Sequence, residues 1–295
     1  MLRDLLRLII LIASAIAALA TFGAWRIIRR RQPDPPDLPS NHGMDFQHVR
    51  FSTSDDLLLH GWWIPAAQAR GTVVICHGQN GSMDGDLWHA CVLHEAGFNV
   101  LMFSFRAHGS SRGEAVTFGL HETRDLLAAL NYLEKQLDIH EVGVLGLSMG
   151  AAVAILTAAH TNRIACIVAD GLITRLDTTL GLWLHNKGLP LSLALPYIRL
   201  SLRIASWLTQ APMHTLDMHH HLRHVANCPI FFIHGADDEL IPFDDFMKMV
   251  NGAFSPPSVW VAPGCRHREA HQRYPEEYAE RIVRWFSAYF NSRML

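Results

Sequence analysis

Apolar residues fall into three patterns along the chain. The first is a continuous run over residues 8–25, broken only by Ser14, Thr21 and Gly23. It is long enough, at the short end, to cross a bilayer as a helix. No polar face recurs at helical spacing, which argues against a buried core helix. The second pattern is a set of short β-branched runs at 47–53, 57–64, 71–76, 99–103, 142–145, 164–169, 229–233 and 259–262, each predicting a strand. The third is helical spacing between those runs. It appears at 87–95, in Leu126, Leu130, Leu133 and Leu137, after Gly150, and in Tyr278, Ile282, Phe286 and Phe290. Strands alternating with helices predict an α/β fold whose mostly parallel central sheet is covered by helices on both faces.

The alternation lapses over about 171–227. Apolar helical stretches there are punctuated by Pro190, Pro196 and Pro212, and the segment reads as a short helical cap over the sheet. Residues 189–208 are apolar enough to suggest a second span, but Pro196, Arg199 and Arg203 argue against it. Three parts follow: residues 1–31 as a membrane anchor with a basic flank, 32–46 as a linker, and 47–295 as the catalytic domain. The linker holds Pro33, Pro35, Pro36 and Pro39 and reads as a stiff spacer.

Arg3 and Arg7 precede the apolar run, and Arg26, Arg29, Arg30 and Arg31 follow it. The more basic flank stays in the cytoplasm, so the expectation is a single-pass N-terminal anchor with the domain on the cytoplasmic side. Ala18-Leu19-Ala20 resembles a cleavage site and keeps a secretory signal as the rival. The arginines just beyond it argue against export.

Charge and composition narrow the classes further. Formal net charge is -2 and the domain has no Lys/Arg-rich tract, so nucleic acid is not an expected partner. Five cysteines without CxxC spacing suggest neither structural zinc nor a disulfide framework. His214, His219, His220, His221 and His224 crowd one segment, but no carboxylate motif accompanies them. No metal and no organic cofactor is expected.

Chemistry concentrates at predicted strand ends. Gly146-Leu147-Ser148-Met149-Gly150 follows a strand and opens a helix, the context of a nucleophile elbow. Gly146 and Gly150 let strand and helix approach closely, and the Met149 N–H is free to face a developing oxyanion. His77-Gly78-Gln79-Asn80-Gly81 follows an inner strand, and by position the Gln79 N–H is the second oxyanion donor; Gly78 lets its backbone approach a ligand. A serine needs a base and the base an orienting carboxylate. The loop after 229–233 offers Asp237 and Asp238, and spacing favours Asp238. The loop after 259–262 offers His267, with His271 as competitor; the Gly264 turn favours His267. Ser148, Asp238 and His267 then run in the chain order used by this strand–turn–helix chemistry.

These motifs, with Arg106-Ala107-His108-Gly109-Ser110-Ser111 and Ile241-Pro242, resemble the α/β-hydrolase superfamily from about residue 47 onward, and within it BEM46-like and serine aminopeptidase S33-type hydrolases. Ala107 stands where the family usually has glycine, Ser104 where an aspartate often precedes the arginine, and Gln79-Asn80 replaces a commoner pair. These departures bear on subfamily and substrate. The resemblance implies a serine hydrolase acting on a carboxylic ester, thioester or amide through an acyl-enzyme. An acyltransferase or aminopeptidase on the same scaffold, or an inactive membrane-tethered binding protein, are the alternatives. The apolar insert, with Trp183, Leu189, Leu191, Leu193, Leu195, Tyr197 and Trp207, predicts a roof for a small-molecule acyl substrate of lipid-like character.

Overall fold

The computed structural model describes residues 1–225, 228–253 and 257–291. Among these residues, eight strands form one sheet: β1 (Gln47–Ser52), β2 (Leu58–Ile64), β3 (Thr72–Cys76), β4 (Asn99–Phe103), β5 (Val142–Leu147), β6 (Ile164–Asp170), β7 (Ile230–Gly235) and β8 (Ser258–Ala262). Their spatial order is β1-β2-β4-β3-β5-β6-β7-β8. β1 and β2 pair antiparallel, as do β2 and β4; every later pairing is parallel. The inner strands β3, β5 and β6 are buried at every position, as a sheet covered on both faces requires.

Among the described residues there are ten helices: α1 (Leu2–Ile28), α2 (Leu87–Glu95), α3 (Glu122–Leu137), α4 (Met149–Ala158), α5 (Leu176–Asn186), α6 (Leu191–Thr209), α7 (Met218–His221), α8 (Phe243–Asn251), α9 (Ala270–Arg273) and α10 (Pro275–Asn291). Alternate residues of one strand serve opposite layers. Val74 and Cys76 join a core with α3, α4 and α8; Val73 and Ile75 join one with α2 and α10. The expected stripe on α10 is present, with Tyr278, Ile282 and Phe286 fully buried.

The insert between β6 and β7 folds as α5, α6 and α7, with one short 3₁₀ turn between α6 and α7 and another after α7. The last residues assigned to it, 226–227, lie outside the described residues. Helix α6 is longer than the short pieces its prolines suggested, because Pro196 is accommodated inside its second turn. The ring fixes φ at a value a helix can use, and the Ser192 carbonyl, four residues back, goes without its usual N–H partner.

Helix α1 is a candidate membrane span of 27 residues, longer than the apolar run alone. Most of it is exposed and apolar: Leu8, Ile9, Ile10, Leu11, Ile12 and Ile16 are each at least half exposed. Its last turns differ. Ala20, Gly23, Ala24 and Ile27, spaced i, i+3, i+4, i+7, are buried on one face, and that face packs on α6. A Cβ at Gly23 would strike the Tyr197 hydroxyl and ring and the Ser201 hydroxyl, so only glycine allows this approach.

The segment after α1 departs from the expected spacer. The Val116 N–H donates to the Ile28 carbonyl and the Arg31 N–H to the Ala107 carbonyl, both at 2.8 Å. Arg30 donates to the carbonyls of Gly109 and Gly113. Asp34 receives the Ser82 N–H and donates its own N–H to the Ser82 hydroxyl. Backbone groups that a free linker would leave to water are thus satisfied by two loops of the domain.

Candidate active site

Strand β5 ends at Leu147, and the chain reverses at Ser148 into α4. Ser148 holds φ 55° and ψ -109°, a conformation strained for any residue with a Cβ. The Ser148 N–H donates to the Asp170 carbonyl at 2.7 Å, tying the turn to the end of β6. The turn is possible because its flanks are bare. A Cβ on Gly146 would lie 2.5 Å from the Ala151 Cα, and one on Gly150 would run into the Cys76 carbonyl.

Three side chains converge above the C-terminal ends of β5, β7 and β8, where open α/β sheets place their ligands. Ser148 Oγ lies 2.9 Å from His267 Nε2, and His267 Nδ1 lies 2.7 Å from Asp238 Oδ2. The other Asp238 oxygen accepts the N–H groups of Leu240 and Ile241 at 2.9 and 3.0 Å. The Asp238 carboxylate is shielded from solvent, whereas Asp237 is exposed. His271 packs beside His89 and Trp88 instead of facing Ser148.

Met149 and Gln79 both line the cavity in front of Ser148. Met149 opens α4, so its N–H has no intrahelical acceptor. Gly78 sits between Arg268 and the Ser148 Cβ, where an added Cβ would meet the Arg268 guanidinium at 2.8 Å.

Several groups that support this loop are not apparent from the motifs alone. His77 Nε2 accepts the Phe105 N–H at 2.9 Å, so its Nδ1 carries the proton and donates to the Gly78 carbonyl at 2.6 Å. Burial holds His77 neutral, with its pKa brought down to about 3. His108 Nε2 faces the Gln79 carbonyl at 2.6 Å. Arg31, just past α1, meets the amide oxygen of the Gln79 side chain. Its guanidinium also donates to the carbonyls of Arg26 and Ile27, closing the end of that helix. Burial, and then the charges of Arg29 and Arg26, bring the Arg31 pKa down to about 10. Behind His267, Arg268 pairs with Asp86 at 2.5 Å, and Tyr278 donates to Asp170 at 2.9 Å. Burial raises the Asp170 pKa to about 6.

The cavity measures about 560 Å³, within the range of small-molecule sites. Its most buried lining is apolar, with Phe118, Ile173 and Leu176 shielded from solvent and the half-buried Leu180 and Leu184 of the cap beside them. One wall comes from α1: Phe22, Gly23, Arg26 and Ile27 line it, followed by Arg29 and Arg31. Among the described residues no aspartate or glutamate lines the cavity.

The family model for the alpha/beta hydrolase fold matches residues 71–202. YfhR of Escherichia coli O157:H7, an uncharacterised protein, is 24% identical over 255 residues, 83% of this chain and 82% of its own length. The bem46 protein of Schizosaccharomyces pombe is 26% identical over 211 residues, 69% of this chain and 64% of its own. Among solved structures, the Pyrococcus furiosus esterase Pf2001 superposes with a TM-score of 0.74 at 26% identity, covering 89% of this chain and 99% of that one. A bacterial membrane phospholipase A superposes over 99% of this chain and 100% of its own, with a TM-score of 0.65 at 18% identity. The chain is an α/β-hydrolase-fold protein, with a candidate membrane span at its N-terminus, that resembles the BEM46-like proteins.

Proposed function

We propose that the chain is a serine hydrolase that cleaves carboxylic esters of medium-length acyl chains at a membrane surface. The observation that carries the reading is the contiguous Ser148–His267–Asp238 hydrogen-bonded chain opening into a cavity with an apolar depth. In the first step His267 Nε2 takes the Ser148 proton as Oγ bonds to the ester carbonyl carbon. The carbonyl oxygen becomes an oxyanion facing the Gln79 and Met149 N–H groups. His267 returns the proton to the leaving alkoxide as the C–O bond breaks, leaving an acyl-enzyme. Water, deprotonated by His267, then releases the acid and restores Ser148. Asp238 keeps the His267 proton on Nδ1 and stabilises the imidazolium.

The cavity lining speaks against an aminopeptidase. A free α-ammonium entering the site would find arginines and, among the described residues, no lining carboxylate to pair with. The names of the esterase and phospholipase neighbours lend support to an ester as the scissile group. Each methylene buried under the cap contributes up to about 0.8 kcal/mol. On the full chain in neutral detergent, p-nitrophenyl esters should therefore gain kcat/KM from acetyl to octanoyl. A fluorophosphonate should label wild-type protein at Ser148 alone, and Ser148→Ala should lose both label and turnover. Labelling that persists in that variant, or kcat/KM that falls steadily from acetyl upward, refutes the reading. We also propose that the domain faces the cytoplasm, because four arginines follow the apolar run and two precede it. Digestion of the domain by protease added outside intact cells would reverse that orientation.

A further inference from the structure

The mouth of the cavity carries a charge that the acyl-ester reading does not use. Arg26 reaches it from the last turn of α1, and Arg29 and Arg31 from the residues just beyond; Arg26 and Arg29 are exposed. Among the described residues, none of the three pairs with a carboxylate. Arg31 spends its donors on two carbonyls and Gln79, while Arg29 lies over the Trp25 ring at 5.5 Å. Arg26 and Arg29 make no side-chain hydrogen bond among the described residues. Three like charges gathered at one opening repel one another, and the depressed Arg31 pKa reflects burial first and then the charges of Arg29 and Arg26. The buried apolar side chains and the exposed arginines line one cavity, together with Ser148.

We infer that Arg26 and Arg29 form a subsite for a phosphate-type anionic headgroup, so that the ester substrate is an anionic acyl lipid with its chain under the cap and its headgroup on the end of α1. Guanidinium suits this task because its planar fork pairs two phosphate oxygens at once. Arg31 adds charge and holds the end of the helix in place. A zwitterionic headgroup would bring a cation among the arginines and gain less. The inference deepens the ester-hydrolase reading and rests on it, but it can be tested by binding alone.

The full chain carrying Ser148→Ala, in phosphatidylcholine nanodiscs, is titrated with octyl phosphate and with octyl glucoside below their micellar concentrations. Tryptophan emission reports binding, since Trp183 lines the cavity and Trp25 stacks on Arg29. The expected result is at least about tenfold tighter binding of octyl phosphate. Arg26→Gln/Arg29→Gln should reduce the preference to within about twofold, and Arg26→Lys/Arg29→Lys should restore part of it. Arg3→Gln/Arg7→Gln removes the same charge from the other end of α1 and should keep the preference. Inorganic phosphate should compete far more weakly than octyl phosphate. Equal affinity for the two amphiphiles, or an equal loss in the Arg3/Arg7 variant, overturns the subsite. Competition by inorganic phosphate at the concentration of octyl phosphate overturns the lipid assignment in favour of a free anion. Absence of fluorophosphonate labelling in wild-type protein would instead strike the hydrolase reading, and these affinities do not depend on it.

Discussion

The floor and the roof of the cavity are built by different means. Floor groups sit on strand ends and tight turns: Ser148 after β5, Asp238 after β7 and His267 after β8, with backbone hydrogen bonds fixing each loop. The roof is made of helices that come from outside the alternating pattern, α5 and α6 from the insert and α1 from the N-terminus. Its contacts are side chains, and some are exposed away from the cavity: Leu193 faces outward, as does Trp207, which is 73% exposed. On the proposed function, the floor determines what bond is attacked and the roof which molecule is held there. Damage to the floor should appear in kcat, and damage to the roof in the dependence on chain length and headgroup.

The largest expected effect is on the floor. Asp238→Asn should lower kcat by roughly four powers of ten, while Asp237→Asn, at an exposed position, should stay within a few-fold. Similar losses in both would mean that the hydrogen bond from His267 to Asp238 is not the one that matters. Next comes removal of the shared wall. A chain lacking residues 1–31 should lose about ten- to a hundredfold in kcat/KM on an octanoyl ester, the equivalent of one buried apolar side chain at about 1.5–3 kcal/mol. A chain lacking only residues 1–18 keeps the wall and should keep most of that activity. If both truncations behave alike, α1 contributes tethering and no wall.

A smaller effect is expected where α1 meets α6. Gly23→Leu should cost about 1–3 kcal/mol through overpacking against Tyr197, visible as a lower Tm and a flatter dependence on acyl length. An unchanged Tm would show that the two helices do not pack as described. The smallest concerns the junction of roof and floor. Arg31→Gln removes the guanidinium that donates to the Gln79 side chain and to the Arg26 and Ile27 carbonyls; the Gln79 bond, at about 0.5–1.5 kcal/mol, is the one that reaches the site, and its loss should lower kcat a few-fold with little change in KM. A change confined to KM would place Arg31 with the substrate instead of the loop.

The same division governs what can be read from the sequence. Floor residues lie in short motifs whose local geometry is dictated by glycines and strand ends, so Ser148, Gly146 and Gly150 are legible from a nine-residue stretch. Asp238 and His267 follow from their loops, and the structure brings both to Ser148. The wall is not legible in that way. An apolar helix reads the same whether lipid or protein lies against it, and only the small residues Ala20, Gly23 and Ala24 at helical spacing hint at a close neighbour. The prolines at 33–39 suggest a spacer, yet Asp34 and Ser82, 48 residues apart, hold the segment down. Support for the 77–81 loop by His77, His108 and Arg31 depends on long-range pairings that no local pattern encodes. Arg268 and Asp86, 182 residues apart, are a further instance.

The stitching of residues 28–34 to the loops around Ser82 and Ala107 has a kinetic consequence. An enzyme on a slack leash sweeps a volume and meets substrate from the bulk. With α1 in a bilayer, this one would ride at a fixed height and tilt, and its encounters would become two-dimensional. Turnover would then follow the mole fraction of substrate in the surface and the speed of lateral diffusion. Diluting vesicles of constant composition, each already carrying enzyme, would leave the rate per enzyme unchanged, while diluting the substrate with inert lipid would lower it.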